Sequence, residues 1–302
     1  MNPINLLAPR FSKRRLFLSI FRDFVYRPIS ILGRLSPINF HNYRICSNLH
    51  IQCCICGQVG VISYDYPDVK LRKAHGIGLL RETLRCKSCS ATMRQRQLAL
   101  GLIKIIEERF GQSLQSLREF RDQNLAGLRI LDSDSFSPIN HILRGMPGYV
   151  YSQFVPYMKI GEKLADGSIN VNLEKMHFDS NSFDVILTSD VMEHVSDDES
   201  AHREIFRCLA PGGSYLFTVP FDPCCQGNRR LTQICGTGSF FFLEKHIHGD
   251  PHSKSGILAH RIYGWQLLDD LSKVGYLPKF IELNEQKYGV FGGDLFVAKK
   301  EF

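Results

Sequence analysis

The chain has 302 residues, 44% hydrophobic and 22% charged, an ordinary balance for a folded protein with room for one large α/β domain and a smaller one. The formal net charge of +7 sits at the start: residues 1–45 hold eight Lys/Arg (Arg10, Lys13, Arg14, Arg15, Arg22, Arg27, Arg34, Arg44) against Asp23, and the rest sums to zero. Charge therefore gives no ground for reading the whole chain as a nucleic-acid binder, and no apolar run approaches the ~20 residues that cross a bilayer.

Residues 1–45 form a basic, aromatic-rich arm, "RRLFLSIFRDFVYRPISILGRL" at its centre. Three readings stay open for it: packing on its own domain, contact with an anionic membrane surface or a partner, and organelle targeting. Residues 46–95 then carry Cys53-x2-Cys56 and Cys86-x2-Cys89, with 29 residues between the two pairs. Each pair lets a tight turn aim two thiolates at one point, and two such turns complete the tetrahedron that suits zinc. Gly57 follows the first pair, and Ser88 and Ser90 flank the second, as tight turns require. Cys54 is a further thiol beside the first pair and leaves open whether Cys53 or Cys54 binds. With four protein ligands such a zinc is structural and holds a ribbon too small to fold on its own core. Ten cysteines in adjacent pairs and CxxC units, without a secretory signal, fit a reducing cytoplasm better than a disulfide framework.

Residues 96–126 read as connecting helices. "RQRQLALGLIKIIEERFG" has apolar Leu98, Leu102, Ile105, Ile106 and Phe110 at helical spacing, and Gly111 ends it. From 127 to 302 strands alternate with helices. Strands are expected near 128–132, 149–152, 168–171, 183–188, 213–219, 279–283 and 293–298, with helices at 197–209 and 265–274. That alternation implies an α/β domain with a mostly parallel sheet and helices on both faces.

The most informative stretch runs from Met176 to Phe221: "MHFDSNSFDVILTSDVMEHVSDDESAHREIFRCLAPGGSYLFTVPF". "FDVILTS" is a buried strand. "SDDE" at Ser196–Glu199 is a capping box with Ser196 as the cap, "APGG" breaks the helix, and "SYLFTVPF" is the next strand. This run resembles the class I S-adenosylmethionine-dependent methyltransferases of the type 11 kind, and the resemblance extends over residues 127–302. A preceding pair of CxxC knuckles followed by an RxR helix (Arg94, Arg96) also occurs in a subgroup of bacterial methyltransferase-like proteins. The resemblance implies a Rossmann-like sheet, S-adenosylmethionine as cofactor and methyl transfer to an acceptor that the chain does not identify.

In that family the first strand ends in an acid followed by a Gly-x-Gly turn near the methionine part of the cofactor. Here "LRILDSDSFSPINHIL" supplies Asp132, but Asp134 and Phe136 stand where glycines are usual. Only glycine offers both a positive φ and no Cβ. The knuckle-bearing subgroup often uses Ser and Pro in this turn, and "SFSP" resembles that variant. The acid that bonds the ribose at the end of strand two is replaced by Ser152 or Gln153, and the aspartate near the adenine aligns with Asn172. By resemblance, Asp132, Asp134, Ser152, Gln153, Asn172, Ser189 and Asp190 line the cofactor site. Glu193 and His194 either orient the strand-four tip or cap and pack.

"EKHIHGDPHSKSG" gathers His246, His248, Asp250 and His252. In an extended stretch alternate residues face one way, so these groups can converge. An acceptor-site role with His248 or Asp250 as base stands beside a second metal site and a plain polar loop. Arg229, Arg230 and Arg261 read as surface cations or as positive charge for an acidic acceptor.

Two functional classes follow. One is an S-adenosylmethionine-dependent methyltransferase with an N-terminal zinc ribbon. The other is a catalytically degenerate methyltransferase-like binding protein that docks on RNA, a membrane or a protein through ribbon and arm. Residues 1–127 hold twenty Lys/Arg against eight Asp/Glu, and 128–302 hold seventeen against twenty-two, a polarity that suits a polyanion at the N-terminal part. Beyond the arm, however, no clear nucleic-acid motif appears. The expected location is cytoplasmic, with a membrane-peripheral variant through the arm.

Overall fold

The computed structural model describes residues 50–64, 80–125, 127–234, 240–243, 247–250 and 253–301. The basic arm lies outside the described residues. The chain divides into two compact units that interleave along the sequence.

Of the described residues, 50–64, 80–125, 136–143 and 281–295 belong to the first unit. It opens with strands β1 (His50–Gln52), β2 (Val59–Tyr64) and β3 (Leu84–Cys86), which pair antiparallel in that order, with a one-turn helix α1 (Leu80–Thr83) before β3. Helix α2 (Met93–Phe110) starts at a capping box: Thr92 accepts from the Gln95 N–H, and the Gln95 side chain accepts from the Thr92 N–H. It stops at Gly111, whose φ of 68° only glycine adopts freely. Of its expected apolar stripe, Leu98, Leu102 and Ile106 are buried, while Ile105 and Phe110 are half-buried. Helix α3 (Leu117–Asp122) follows, capped by Ser116. Helix α4 (Pro138–Leu143) has Pro at its first position and Ser137 accepting from the Asn140 N–H.

Of the described residues, 127–135, 144–234, 240–243, 247–250, 253–280 and 296–301 belong to the second unit. Its strands are β4 (Ile130–Asp132), β5 (Tyr149–Gln153), β6 (Ile169–Asn170), β7 (Phe183–Ser189) and β8 (Leu209–Thr218), with α5 (Asp198–Cys208) between the last two. After short strands β9 (Arg229–Arg230), β10 (Thr232–Ile234), β11 (Phe240–Phe242), β12 (Ile247–Asp250), β13 (Ser253–Leu258) and β14 (Arg261–Ile262) come α6 (Gln266–Val274), β15 (Tyr276–Glu285) and β16 (Val290–Lys300), the last two sharing residues 281–285 and 290–295 with the first unit. The seven-stranded sheet has the order β15-β16-β8-β7-β4-β5-β6. β5, β4, β7 and β8 run parallel, β6 is parallel to β5, and β16 is antiparallel to β8 through Phe296↔Phe217 and Lys299↔Ser214. All seven expected strands of the sheet are present. The core behind it stacks Phe217 on Tyr215 and on Phe296, with ring centroids 4.3 and 5.1 Å apart.

Two local expectations are corrected. The α5 cap is Asp197, not Ser196: Asp197 accepts from the Ser200 N–H at 3.0 Å, while the Ser196 hydroxyl donates to Glu174 at 2.6 Å. The helix does end just before "APGG", at Cys208, but these residues do not form a loop ahead of the next strand. They lie inside β8 as an irregularity in the pairing with β7, between Phe183↔Leu209 and Val185↔Ser214. A Cβ on Gly213 would stand 2.8 Å from the Ala210 carbonyl oxygen, so that approach excludes any side chain.

Candidate cofactor site and metal centre

The turn after β4 is built without left-handed backbone. None of Ser133–Ser137 has a positive φ. Side chains do the work that glycines do elsewhere. Asp132 Oδ1 accepts the Asp134 N–H at 3.0 Å, an Asx turn, and the Ser133 hydroxyl donates to the Leu187 carbonyl at 3.1 Å. Asp132 is 2% exposed, and its Oδ2 accepts the Tyr149 hydroxyl at 2.6 Å. Asp132 thus shapes the turn from below, while Asp134 is carried on it.

Ser152 is buried on β5 and donates to the Asp132 carbonyl at 3.4 Å, which brings Asp132, Asp134 and Ser152 together. Gln153 at the strand tip donates to Ser168 Oγ at 2.8 Å and to Asp166 Oδ2 at 3.2 Å. Its Oε1 is buried without a partner among the described residues. Asp166 was not anticipated. It also accepts from the Ser168 N–H and hydroxyl, at 3.0 and 2.6 Å. Against burial, which pushes the other way, bonds from Ser168 and Ser135 hold its carboxyl below the ordinary range. A carboxylate therefore stands beside the strand-two tip although β5 itself carries none. The only hint in the chain is the Asp166-Gly167 turn pair.

Asn172 Oδ1 accepts the Glu174 N–H at 2.9 Å, so one acceptor site of the amide already serves the local turn. At the β7 tip Ser189 is buried, and Asp190 adopts a φ of 52°, unusual outside glycine. Asp190 is pinned to the β8 tip twice: its N–H donates to the Thr218 carbonyl at 3.0 Å, and Oδ1 accepts the Thr218 hydroxyl at 2.9 Å. Glu193 and His194 lie in the short turn Met192–His194. Glu193 is fully buried, His194 Nε2 lies 3.6 Å from Glu193 Oε1, and its Nδ1 lies 2.8 Å from the Leu258 carbonyl oxygen. Arg261 corrects its reading as a surface cation. It is 6% exposed and donates to the carbonyls of Met192, Val195 and Ser196, with Asp198 Oδ2 3.3 Å from its Nε. It clamps the turn after the β7 tip. Arg229 and Arg230 are exposed on β9, as expected.

His248 and Asp250 fall on β12, which pairs antiparallel with β13 through His248↔Ile257 and Asp250↔Ser253. His248, Asp250, His246 and His252 lie outside the described residues as far as their side chains go.

In the first unit, the Sγ atoms of Cys53, Cys56, Cys86 and Cys89 all lie within 4.8 Å of one another. Cys53–Cys89 and Cys56–Cys86 are 3.7 and 3.8 Å apart. A regular tetrahedron with metal–sulfur bonds of ~2.3 Å has edges of ~3.8 Å, so the thiols stand where a four-thiolate metal would hold them. The two knuckles share one geometry. The Gly57 N–H donates to the Cys53 carbonyl and the Ser90 N–H to that of Cys86, each at 2.8 Å. The residue after each second cysteine is left-handed, Gly57 at 75° and Ser90 at 60°. Cys54 is excluded from the cluster: it is fully buried, and its thiol donates to the Arg96 carbonyl at 3.4 Å. Arg96 was visible only as part of an RxR pair. Its guanidinium is fully buried and donates to the carbonyls of Ala91, Leu84, Tyr288 and Gly289 at 2.6, 3.2, 2.9 and 3.1 Å.

Comparison with known proteins finds a likeness over part of the chain. Residues 154–217 match the family described as "Methyltransferase domain". The segment begins just past β5 and ends in β8, so it contains Asn172, Ser189 and Asp190 but not the turn after β4. Over 81 residues the chain is 35% identical to the ubiquinone/menaquinone biosynthesis C-methyltransferase UbiE of Vibrio vulnificus strain YJ016. Over 77 residues it is 34% identical to the protein of the same description from Vibrio cholerae serotype O1. The chain spans 28% of the length of these relatives, and each alignment covers 26% of this chain. Among solved structures it is similar to an S-adenosylmethionine dependent methyltransferase from Mesorhizobium loti (18% identity, 60% of this chain and 96% of that one, TM-score 0.38). It is also similar to the complex of the Haloferax volcanii Trm112 methyltransferase activator with a methyltransferase (14% identity, 68% and 96%, TM-score 0.37). The fold assignment rests on the sheet order rather than on these two likenesses. The likeness to the methyltransferase domain thus lies in residues 154–217, within the seven-stranded sheet, and the four-cysteine cluster precedes it in the sequence. Among the described residues no helix is long and apolar enough to cross a membrane.

Proposed function

We propose that the chain is an S-adenosylmethionine-dependent methyltransferase. The observation that carries this reading is the matched segment 154–217, which runs through the β7 tip of a sheet with class I strand order. The turn Asp132–Asp134 would face the methionine part of the cofactor, with Asp132 acting through the backbone it holds. Ser152 and Gln153 would meet the ribose: the unpartnered Gln153 Oε1 fits a hydroxyl donor, and Asp166 stands beside it. Asn172 would take the adenine side, and Ser189 and Asp190 at the β7 tip would complete the lining of the cofactor site. When bound, S-adenosylmethionine supplies an activated methyl group. The chain's own part is to align the acceptor, exclude water and hold the departing proton. His248 or Asp250 would hold that proton.

Zinc in the Cys53, Cys56, Cys86, Cys89 cluster would be structural, since four thiolates leave no open position. The arm, residues 1–45, would meet an anionic membrane surface or a partner on the cytoplasmic side.

The test is transfer of a tritiated methyl group from S-adenosylmethionine into fractionated extract, comparing the native chain with His248→Ala/Asp250→Asn. Incorporation that the double variant loses while still binding cofactor supports the assignment. Equal incorporation by both removes His248 and Asp250 from it, and none by either contradicts the enzymatic reading.

A further inference from the structure

The turn after β4 runs directly into α4, and α4 belongs to the first unit, the one that holds the four cysteines. The helix has six residues, and five of them, Pro138, Ile139, Asn140, Ile142 and Leu143, are buried. A helix shorter than ~12 residues is marginal by itself in water, so α4 depends on what it packs against. Within the first unit it packs on α3 and α2.

α3 is equally short, and its start is fastened to the first cysteine knuckle. The Leu117 N–H donates to the Cys54 carbonyl at 2.8 Å, and the Arg118 N–H donates to that of Ile55 at 3.1 Å. The Arg118 guanidinium donates to the Cys56 carbonyl, also at 3.1 Å. Three consecutive knuckle carbonyls therefore hold the start of α3. Two of them take backbone N–H groups that the first turn of a helix leaves without internal partners.

The second knuckle leads into α2. Its last cysteine, Cys89, stands three residues before the Thr92 cap, and Arg96 ties the Leu84 and Ala91 carbonyls on either side of the knuckle. A metal on the four thiols fixes both knuckles at once, and metal binding is coupled to folding in modules this small. The links run in series: thiols to knuckle carbonyls, carbonyls to α3, α3 to α4, and α4 by chain continuity to the turn that Asp132 shapes.

We propose that the four-cysteine cluster regulates cofactor binding. With metal on the thiols, α3 and α4 stay packed and the turn after β4 keeps its shape. With metal released, α4 loosens and affinity falls, because only the competent fraction of the chain binds. This rests on the reading of that turn as part of the cofactor site.

The test compares the full chain loaded with zinc and stripped of it by a chelator. Hydrogen exchange at 136–143 should quicken about tenfold or more on zinc release, while β7 and β8 keep their protection. Calorimetry with S-adenosylhomocysteine should show affinity falling about tenfold or more, and added zinc should restore it. Arg118→Gln keeps all four cysteines, so it should retain zinc yet move both readings in the same direction. It carries the comparison if the stripped chain aggregates. Unchanged exchange at 136–143, or equal affinity of the loaded and stripped chains, would overturn the proposal. Absence of binding by the zinc-loaded chain, with exchange at 136–143 still answering to zinc, would overturn the cofactor reading and the regulation with it, and leave the link from cluster to α4 standing.

Discussion

The Tyr149 hydroxyl donates to Asp132 Oδ2 at 2.6 Å, and both side chains are buried at the foot of the turn that follows β4. The other Asp132 oxygen holds the Asp134 N–H. A buried carboxylate that loses a hydrogen-bond donor is left under-satisfied. Tyr149→Phe should therefore cost about 1–3 kcal/mol in denaturant unfolding and loosen the turn. Asp132→Asn keeps one acceptor oxygen for the Asp134 N–H but turns an NH2 toward the Tyr149 hydroxyl, which must then accept, so it should cost stability as well. Equal stability of Tyr149→Phe and the native chain would show that the bond does not hold the turn.

The cluster geometry separates two neighbouring cysteines. Cys53 points into the four-thiol group, and Cys54 bonds the Arg96 carbonyl. Elemental analysis should find one zinc per chain in Cys54→Ser and a large loss of zinc in Cys53→Ser. Chelation of the native protein should melt the first unit, because metal binding and folding are coupled in so small a core. The reverse pattern for the two serine variants would refute the assignment.

Arg96 is a fully buried cation that satisfies four backbone carbonyls, two around the second knuckle and two in the turn before β16. Arg96→Met removes all four donors at once and should destabilise by at least about 3 kcal/mol. Arg96→Lys should rescue little, since an ammonium cannot span the fork. A melting temperature unchanged in Arg96→Met would contradict this role.

Ser90 holds the same left-handed position in the second knuckle that Gly57 holds in the first. Ser90→Gly should stabilise the zinc-replete protein by up to about 1 kcal/mol by relieving that backbone. A clear loss of stability would mean that the serine side chain contributes more than its strain costs.

His202 gives a pH dependence with a fixed sign. Its folded pKa is pushed from 6.5 down to about 3 by burial, so the unfolded chain binds the extra proton first. Stability is full above about pH 6.5 and falls as the pH drops toward 3, by about 2 kcal/mol between pH 7 and pH 5. His260, depressed to about 4 mainly by burial, adds in the same direction. Unfolding free energies measured across that range should show the slope, and His202→Phe should flatten it. A flat native profile would contradict the burial of a neutral ring.

Much of this was legible because it is local. Strand and helix alternation from Leu128 onward produces the sheet, and the spacing of Cys53, Cys56, Cys86 and Cys89 produces the cluster. What the chain concealed depends on partners distant in sequence. The α5 cap moved to Asp197 because Glu174, 22 residues earlier, takes the Ser196 hydroxyl. Arg261 became a buried clamp because the turn at 192–196 presents three carbonyls to it. Asp166 reaches the strand-two tip across a loop that carries no periodic pattern. The turn after β4 was hidden for a related reason: its backbone has no positive φ, because bonds from Asp132 and Ser133 shape it without glycine.

The most direct test of the account is calorimetric binding of S-adenosylmethionine and S-adenosylhomocysteine to zinc-replete protein, with Asp132→Ala and Gln153→Ala alongside. The account predicts micromolar binding to the native chain, lost in Asp132→Ala and weakened in Gln153→Ala, with both variants folded by circular dichroism. No binding at millimolar ligand would contradict it and leave a methyltransferase fold that works through its four-cysteine module and basic arm.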